Sequence, residues 1–131
     1  MFNGRAFGWE FVEINMELIK TEELEIKKSR FISYAFEVTA QDEVNEILEN
    51  LKKEHKKARH ICYAFILNNP HLEKCSDDGE PSGTAGRPIL NVMQKKNVSN
   101  TLVCVVRYFG GIKLGAGGLL RAYTKSASLV L

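Results

Sequence analysis

A glycine-rich segment at residues 108–121 carries the clearest sign of a binding site in this sequence. It contains five of the ten glycines of the chain. These five are Gly110, Gly111, Gly115, Gly117 and Gly118. Without a Cβ atom, glycine lets the backbone adopt positive φ and approach a ligand closely. A strand-like run enters the segment and a helix-like run leaves it, so N–H groups at the helix start can point at an anion. Lys113 and Arg121 add positive charge, and no catalytic base stands beside them.

A second segment, residues 76–87, is acidic and is interrupted by glycine and proline. Three carboxylates lie within four residues of it: Asp77, Asp78 and Glu80. Beside a phosphate site, such carboxylates are the ingredients of Mg²⁺-assisted phosphoryl chemistry. Their alternative role is structural, in an Asp-Asp-Gly turn whose carboxylates pair with Arg87 or Arg121 and order the two loops. We favour this second interpretation over a metal site.

Histidine and cysteine do not add a catalytic or metal site to these two segments. His55, His60 and His71 lack convergent metal-ligand spacing. The three cysteines contain no CxxC pair, and their odd number argues against a disulfide framework. This cysteine usage is typical of a reducing, cytoplasmic setting. We therefore expect no catalytic residue, no metal and no cofactor.

Composition indicates one soluble domain with a real core. The chain has 131 residues, of which 44% are hydrophobic and 26% are charged. Its net charge is only +2, so a nucleic-acid role must depend on a local patch. No apolar run approaches the roughly 18–20 residues that a membrane span needs. Residues 1–15 lack the apolar core of a secretory signal, and we interpret them as an N-terminal extension.

Hydrophobic patterns predict the elements that position the two segments. Strands are expected at residues 22–27, 30–39, 60–67, 72–75 and 101–109. Helices are expected after a capping-box-like start at Thr39 and Asp42, from about residue 84 to 95, and at 119–131. The order β-β-α-β-β-α-β-α predicts an α/β (α+β) two-layer sandwich. Its mixed four- to five-stranded sheet would carry the helices on one face.

The first predicted helix ends in a basic run at residues 52–60. Cations at a helix C-terminus interact favourably with the helix dipole, which is a purely structural explanation. The other interpretation is a positively charged face that meets phosphate. The sequence leaves both open.

The two loops resemble the signature loops of the YigZ/IMPACT family. Residues 76–88 and 106–123 carry the main likeness, and residues 28–32 and 60–64 are also similar to the family. Two long motifs in the right order make the resemblance specific, and it spans about residues 16–131. It implies the fold of the second domain of a small-subunit ribosomal protein. It also implies that the ferredoxin-like second domain usual in bacterial members is absent from this chain.

The family resemblance implies a cytoplasmic, non-enzymatic module that takes part in the regulation of translation and in stress responses. Its expected partners are RNA, the ribosome or a translation-associated protein, and not a membrane. The glycine segment would bind phosphate, with Arg87 and Arg107 adding charge and Tyr108, Phe109 and Tyr123 offering stacking faces.

Three alternatives to this function are open. The first is an enzyme that binds a small phosphorylated ligand or transfers a phosphoryl group with the glycine and acidic loops. The second is a module that recognises a protein. In the third, the glycines only permit a tight turn and close helix packing.

Overall fold

The structure, a computed structural model, describes residues 17–131. The N-terminal extension expected at residues 1–15 lies outside the described residues. The strands are β1 (Leu18–Ile26), β2 (Ser29–Glu37), β3 (His60–Asn68), β4 (His71–Ser76) and β5 (Thr101–Tyr108). The helices are α1 (Gln41–Glu54), α2 (Gly86–Lys95) and α3 (Gly115–Val130). The eight expected elements are present in the expected order, and no helix in this part of the chain is long and apolar enough to cross a membrane.

The sheet is antiparallel throughout, with the strand order β1-β2-β5-β3-β4. The α+β sandwich class is confirmed, but the expectation of a mixed sheet is corrected. Helices α1 and α2 do connect strands that run in the same direction, namely β2 to β3 and β4 to β5. A strand of opposite direction lies between the members of each pair, so no parallel ladder forms.

The central strand β5 is covered on both faces. Val103 and Val105 belong to the apolar cluster that contains α2 and α3. Leu102, Cys104 and Val106 belong to the cluster that contains α1. Helix α1 therefore lies on the opposite face from the other two helices, which corrects the expectation that all helices share one face. The physical reason is that a strand without polar alternation needs apolar cover on both sides.

Helix α1 begins with a capping arrangement that differs from the expected one. The backbone N–H and the hydroxyl of Thr39 both donate to Oε1 of Glu43, at 2.7 and 3.2 Å. Ala40 occupies the N-cap position and provides no side-chain hydrogen bond. Glu43, and not Asp42, therefore accepts the hydrogen bonds from Thr39 at the start of the helix. The first turn is acidic and the last turn is basic, so α1 carries a charge gradient along its axis.

His55 fixes the C-terminal end of α1 against the sheet. Its Nε2 lies 2.8 Å from the hydroxyl of Tyr34, and its Nδ1 lies 2.6 Å from the hydroxyl of Tyr108. Neutral imidazole has one donor and one acceptor nitrogen, so it satisfies both hydroxyls. Burial, with a smaller contribution from Arg30, lowers the pKa of His55 to about 4. The imidazole is therefore neutral near pH 7.

Gly110 lies against the turn between β1 and β2. A Cβ atom at this position would come within 2.0 Å of the Lys28 carbonyl oxygen. Its backbone N–H donates to the hydroxyl of Ser29 at 3.3 Å. The end of β5 therefore docks on the hairpin turn by direct backbone approach, which only glycine permits.

We expect Gly110→Ala to lower the free energy of unfolding by at least about 3 kcal/mol, because the backbone of Lys28 has to move away. Gly111→Ala is the matched control: its Cβ would meet nothing within 4 Å, but its φ is +92°. The control is expected to cost about 1–2 kcal/mol from φ alone. Urea unfolding of both variants measures the difference. Equal costs would contradict the close approach at Gly110.

The depressed pKa of His55 predicts a loss of stability as the pH falls below about 6.5. Between that value and about 4, the unfolded chain binds a proton on His55 that the folded chain does not, so unfolding is favoured. We expect the free energy of unfolding to decrease between pH 6.5 and 5, and to decrease less in His55→Gln. Urea unfolding at several pH values measures both slopes. Identical slopes for the two proteins would rule out His55 as the source.

Candidate anion-binding site

An ion pair between Glu80 and Arg107 forms the floor of the site. The Nη1 group of Arg107 donates to both carboxylate oxygens of Glu80, at 2.8 and 3.1 Å. The two residues are only 7% and 5% exposed. The Tyr123 hydroxyl donates to the same carboxylate at 2.5 Å, and Nε2 of His60 lies 3.5 Å from it. Glu80 therefore connects the acidic loop to β3, β5 and α3, and its partner is Arg107, where Arg87 or Arg121 was expected.

Arg107 is buried, and its charge is neutralised by Glu80 within the floor. Its Nη2 donates to the Ser29 hydroxyl at 3.3 Å. Its guanidinium lies over the rings of Phe31 and Phe109, at 5.6 and 5.4 Å from their centroids. Of its three nitrogens, Nε is the one that is buried without a hydrogen-bond partner in the described part of the chain. Because Glu80 neutralises it, Arg107 supports the site from below and is not the exposed phosphate-binding group that we expected.

Asp77 orders the acidic loop and closes the start of α2. Its carboxylate accepts hydrogen bonds from the backbone N–H groups of Gly83, Ala85 and Gly86, at 2.9, 3.1 and 2.8 Å. Burial alone would raise the pKa of Asp77, but the three N–H groups together lower it below its usual value of 3.8. The carboxylate is therefore ionised and occupies the anion position at the N-terminus of α2.

Asp78 ties the same loop to β3. Its carboxylate accepts from the backbone N–H of Ile61 at 2.7 Å, and its carbonyl oxygen lies 2.8 Å from Nδ1 of His60. Within residues 17–131, no group of three acidic, histidine or cysteine side chains is arranged to hold a metal ion. The contacts of Asp77, Asp78 and Glu80 support the loop-ordering role that was favoured from the sequence.

Tyr123 and Cys62 are both protonated beneath the site. Burial raises the pKa of the Tyr123 hydroxyl and of the Cys62 thiol. The thiol is 3.1 Å from the carbonyl oxygen of Asp77 and acts as a weak donor to it. A thiolate is the reactive form of cysteine, so Cys62 has the properties of a structural residue and not of a nucleophile.

A cleft of about 470 Å³ lies above this floor, between the acidic loop and the glycine segment. Its lining comes from the start of β3 and the residue before it, the acidic loop, the end of β5, the glycine segment and the start of α3. These residues are Arg59, His60, Gly79, Glu80, Pro81, Arg107, Phe109, Lys113, Leu114, Gly115, Ala116 and Leu119. The exposed cations among them are Arg59, which directly precedes β3, and Lys113, which lies in the glycine segment. The cleft is therefore positively charged at its rim and neutralised at its floor.

The N-terminus of α3 opens into this cleft. The helix begins at Gly115, four residues earlier than expected, so Gly117 and Gly118 belong to its first turn. No side chain caps this start and no acidic residue lies in the first turn. The first N–H groups of a helix attract anions. At the start of α2, the carboxylate of Asp77 occupies the position where an anion would bind. At the start of α3, the same position opens into the cleft.

Several expected site residues lie away from the cleft. Arg87, in the first turn of α2, is exposed and does not line it. Arg121 folds back along α3, with its Nη1 placed 3.4 Å from where a Cβ of Gly117 would be. Gly110 has a packing role at the hairpin turn. Among the expected site residues, Lys113 and Gly115 line the cleft, and Glu80 and Arg107 form its floor.

Sequence reasoning did not include Arg59 and His60 among the site residues. Their signal was the basic run before β3, which was left open between a dipole effect and a phosphate-binding face. The antiparallel pairing of His60 with Arg107 brings this run to the cleft. Strand order, which the sequence does not encode locally, was needed to find it.

The aromatic residues expected as stacking faces are occupied. Tyr123 is fully buried. The guanidinium of Arg59 lies 4.8 Å from the centroid of Phe109, which Arg107 also contacts. Arg30 lies over the ring of Tyr108 at 5.1 Å. In the described part of the chain, the site therefore offers cations and backbone N–H groups, while the three expected stacking rings are buried or already in contact with arginine.

The two loops lie within a region of the chain that matches a known protein family. Residues 27–131 match the model of the Impact N-terminal domain. The chain is 51% identical over 107 residues to the IMPACT family member YvyE of Bacillus subtilis. This alignment covers 81% of this chain and 49% of YvyE. It is 43% identical over 102 residues to the IMPACT family member YigZ of Escherichia coli, in an alignment that covers 76% of this chain and 50% of YigZ. The chain thus spans about half the length of these curated relatives.

Two solved structures share the fold. The crystal structure of a hypothetical protein aligns with a TM-score of 0.80 and 38% identity, over 87% of this chain and 59% of its own. The structure of the two-domain translational regulator Yih1 aligns with a TM-score of 0.57 and 23% identity, over 87% of this chain and 45% of its own. At this lower identity, the likeness to Yih1 concerns the fold alone.

The buried ion pair predicts unequal effects of two conservative substitutions, one of Glu80 and one of Tyr123, whose hydroxyl donates to it. Glu80→Gln leaves the charge of Arg107 buried without a counter-charge and is expected to lower the free energy of unfolding by about 3–5 kcal/mol. Tyr123→Phe removes one hydrogen bond and is expected to cost about 1–3 kcal/mol. Urea unfolding at pH 7 measures both. A cost of Glu80→Gln no greater than that of Tyr123→Phe would show that the ion pair does not hold the loops together.

Proposed function

Since the chain belongs to the Impact N-terminal domain family, we propose that it is a non-enzymatic, cytoplasmic binding module linked to translation and its regulation. The cleft binds a phosphate group of RNA, either free or in the ribosome. The link to translation is drawn from Yih1, which is described as a two-domain translational regulator and whose fold the chain shares. The site chemistry supports the phosphate ligand independently of that description.

The observation that carries the proposal is the uncapped N-terminus of α3 between Lys113 and Arg59. A phosphate placed there meets backbone N–H groups and two exposed cations. The floor does not repel it, because Glu80 is neutralised by Arg107. Gly115 has a φ of +76°, which sets the direction of the chain as it enters the helix.

The same contacts favour binding over catalysis. Phosphoryl transfer needs carboxylate oxygens that are free to hold Mg²⁺. Asp77 accepts three backbone N–H groups, Asp78 accepts one, and Glu80 is buried against Arg107 and Tyr123. A small phosphorylated molecule is the other ligand that this cleft would hold, and it is distinguished from RNA in the experiment.

The test compares Arg59→Ala/Lys113→Ala with Lys95→Ala/Lys96→Ala, which removes the same charge at the other end of the sheet. Binding to a labelled RNA and to ribosomes is measured at two salt concentrations, after circular dichroism confirms folding. We expect the affinity of the cleft variant to fall at least about tenfold. The slope of its salt dependence should become shallower by about one unit for each phosphate that the variant no longer neutralises. The control is expected to retain its affinity.

Two results would contradict the proposal. Folded wild-type protein that binds neither RNA nor ribosomes would rule out the nucleic-acid function. Equal reductions in affinity in the cleft variant and the control would show that binding depends on total charge and not on the cleft. Binding of millimolar inorganic phosphate or a mononucleotide, without any RNA binding, would assign the cleft to a small phosphorylated ligand.

A further inference from the structure

The fold gathers cations from separate segments at one end of the sheet. The strand pairing places the β1–β2 turn, the start of β3 and the end of β5 together at this end. Helix α1 runs toward it from an acidic first turn to a basic last turn. The exposed cations that meet there are Lys27, Lys28, Lys56, Lys57, Arg59 and Lys113. The net charge of +2 of the whole chain therefore does not reveal this local group of cations.

The β1–β2 turn has an unusual sequence for its backbone conformation. Ile26 pairs with Ser29, so Lys27 and Lys28 form the whole turn. Their φ values are +48° and +69°. A two-residue turn with both φ values positive strongly favours Asn-Gly, because other residues are strained there. Two lysines at these positions depart from the residues that local stability favours, and such strained positions cluster at functional sites.

The turn and the glycine segment behave as one surface. Gly110 touches the backbone of Lys28, where no Cβ would fit. The next residues of the chain lead directly to Lys113 and the cleft. The position of the turn lysines beside the cleft is therefore fixed by backbone contact.

These lysines are also free of the ion pairs that occupy other cations of the same hairpin. Arg30 donates to Glu23 at 2.7 Å, and Lys20 lies 3.8 Å from Glu22. Among the salt bridges of residues 17–131, none involves Lys27, Lys28 or the pair at 56–57. Their charge is available to an external anion.

We propose that the Lys27-Lys28 turn and the segment 56–59 extend the cleft into one continuous phosphate-contacting surface, and that its partner is the backbone of double-helical RNA. This inference rests on the proposed function of the cleft. Single-stranded RNA is held by stacking its bases on aromatic side chains, whereas duplex RNA is held through phosphates and shape. Among residues 17–131, the rings of Tyr108 and Phe109 at this end lie against the guanidinium groups of Arg30, Arg59 and Arg107. The surface is therefore suited to contact the phosphates of an RNA duplex and not to recognise its base sequence.

The experiment uses Lys27→Asn/Lys28→Gly, which gives the turn its preferred residues and removes both charges. We expect its thermal unfolding midpoint to rise by about 4 °C or more, because the turn is no longer strained. Its affinity for a 16-base-pair RNA is expected to fall at least about fivefold at low salt. A rise in stability together with a fall in affinity separates a ligand-binding role from a structural one.

Three further arms complete the comparison. Lys27→Gln/Lys28→Gln removes the charge without changing the backbone preference, and its affinity is expected to fall by the same factor. Lys95→Gln/Lys96→Gln removes equal charge at the opposite end and is expected to bind like the wild type. The wild type is expected to bind the duplex more tightly than a single strand of the same sequence, and more tightly than polyglutamate.

Each contrary outcome has a defined meaning. If both turn variants keep wild-type affinity while Arg59→Ala/Lys113→Ala binds more weakly, the cleft function stands and the extended surface is overturned. Tighter binding of the single strand, or equal binding of polyglutamate, overturns duplex RNA as the partner. If the folded wild type binds no RNA, the proposed nucleic-acid function fails together with this inference.

Discussion

The structure depends on one buried interaction, the ion pair of Glu80 with Arg107. Burying two charges is costly, and the cost is offset here by close geometry and by the Tyr123 hydroxyl. The pair joins the acidic loop to the central strand and to α3. It thereby sets the distance between the two loops and the width of the cleft. It also neutralises the floor, so that the charge presented to a ligand comes from the rim.

Much of the fold followed from local patterns in the sequence. Alternation and helical spacing predicted each element, and the unbroken apolar run of β5 predicted the most buried strand, which is buried on both faces. Long-range features were wrong: the sheet is antiparallel, and α1 lies on the opposite face. Hydrophobic periodicity indicates that an element has a buried side, but not which neighbour covers it. The insertion of β5 between β2 and β3 is a tertiary choice that no local pattern carries.

The site shows the same division between local and long-range information. The sequence indicated that the glycine and acidic segments matter and that their charges pair. It could not indicate that Arg107 points to Glu80 beneath the surface, because an arginine in a strand is equally able to face solvent. It also placed the start of α3 too late, since glycines at 115, 117 and 118 are poor helix formers in isolation. In the folded protein these glycines form the first turn of the helix, whose start is not capped by a side chain.

A titration followed by amide ¹H–¹⁵N correlation spectra tests the central claim, that the basic end of the sheet is the ligand-binding surface. Unlabelled 16-base-pair RNA is added to the ¹⁵N-labelled chain, and the shift of each amide is mapped on the structure. We expect the largest changes at residues 27–28, 56–60 and 111–118. Changes centred on the opposite end, around the acidic start of α1 and the residues that follow α2, would contradict it.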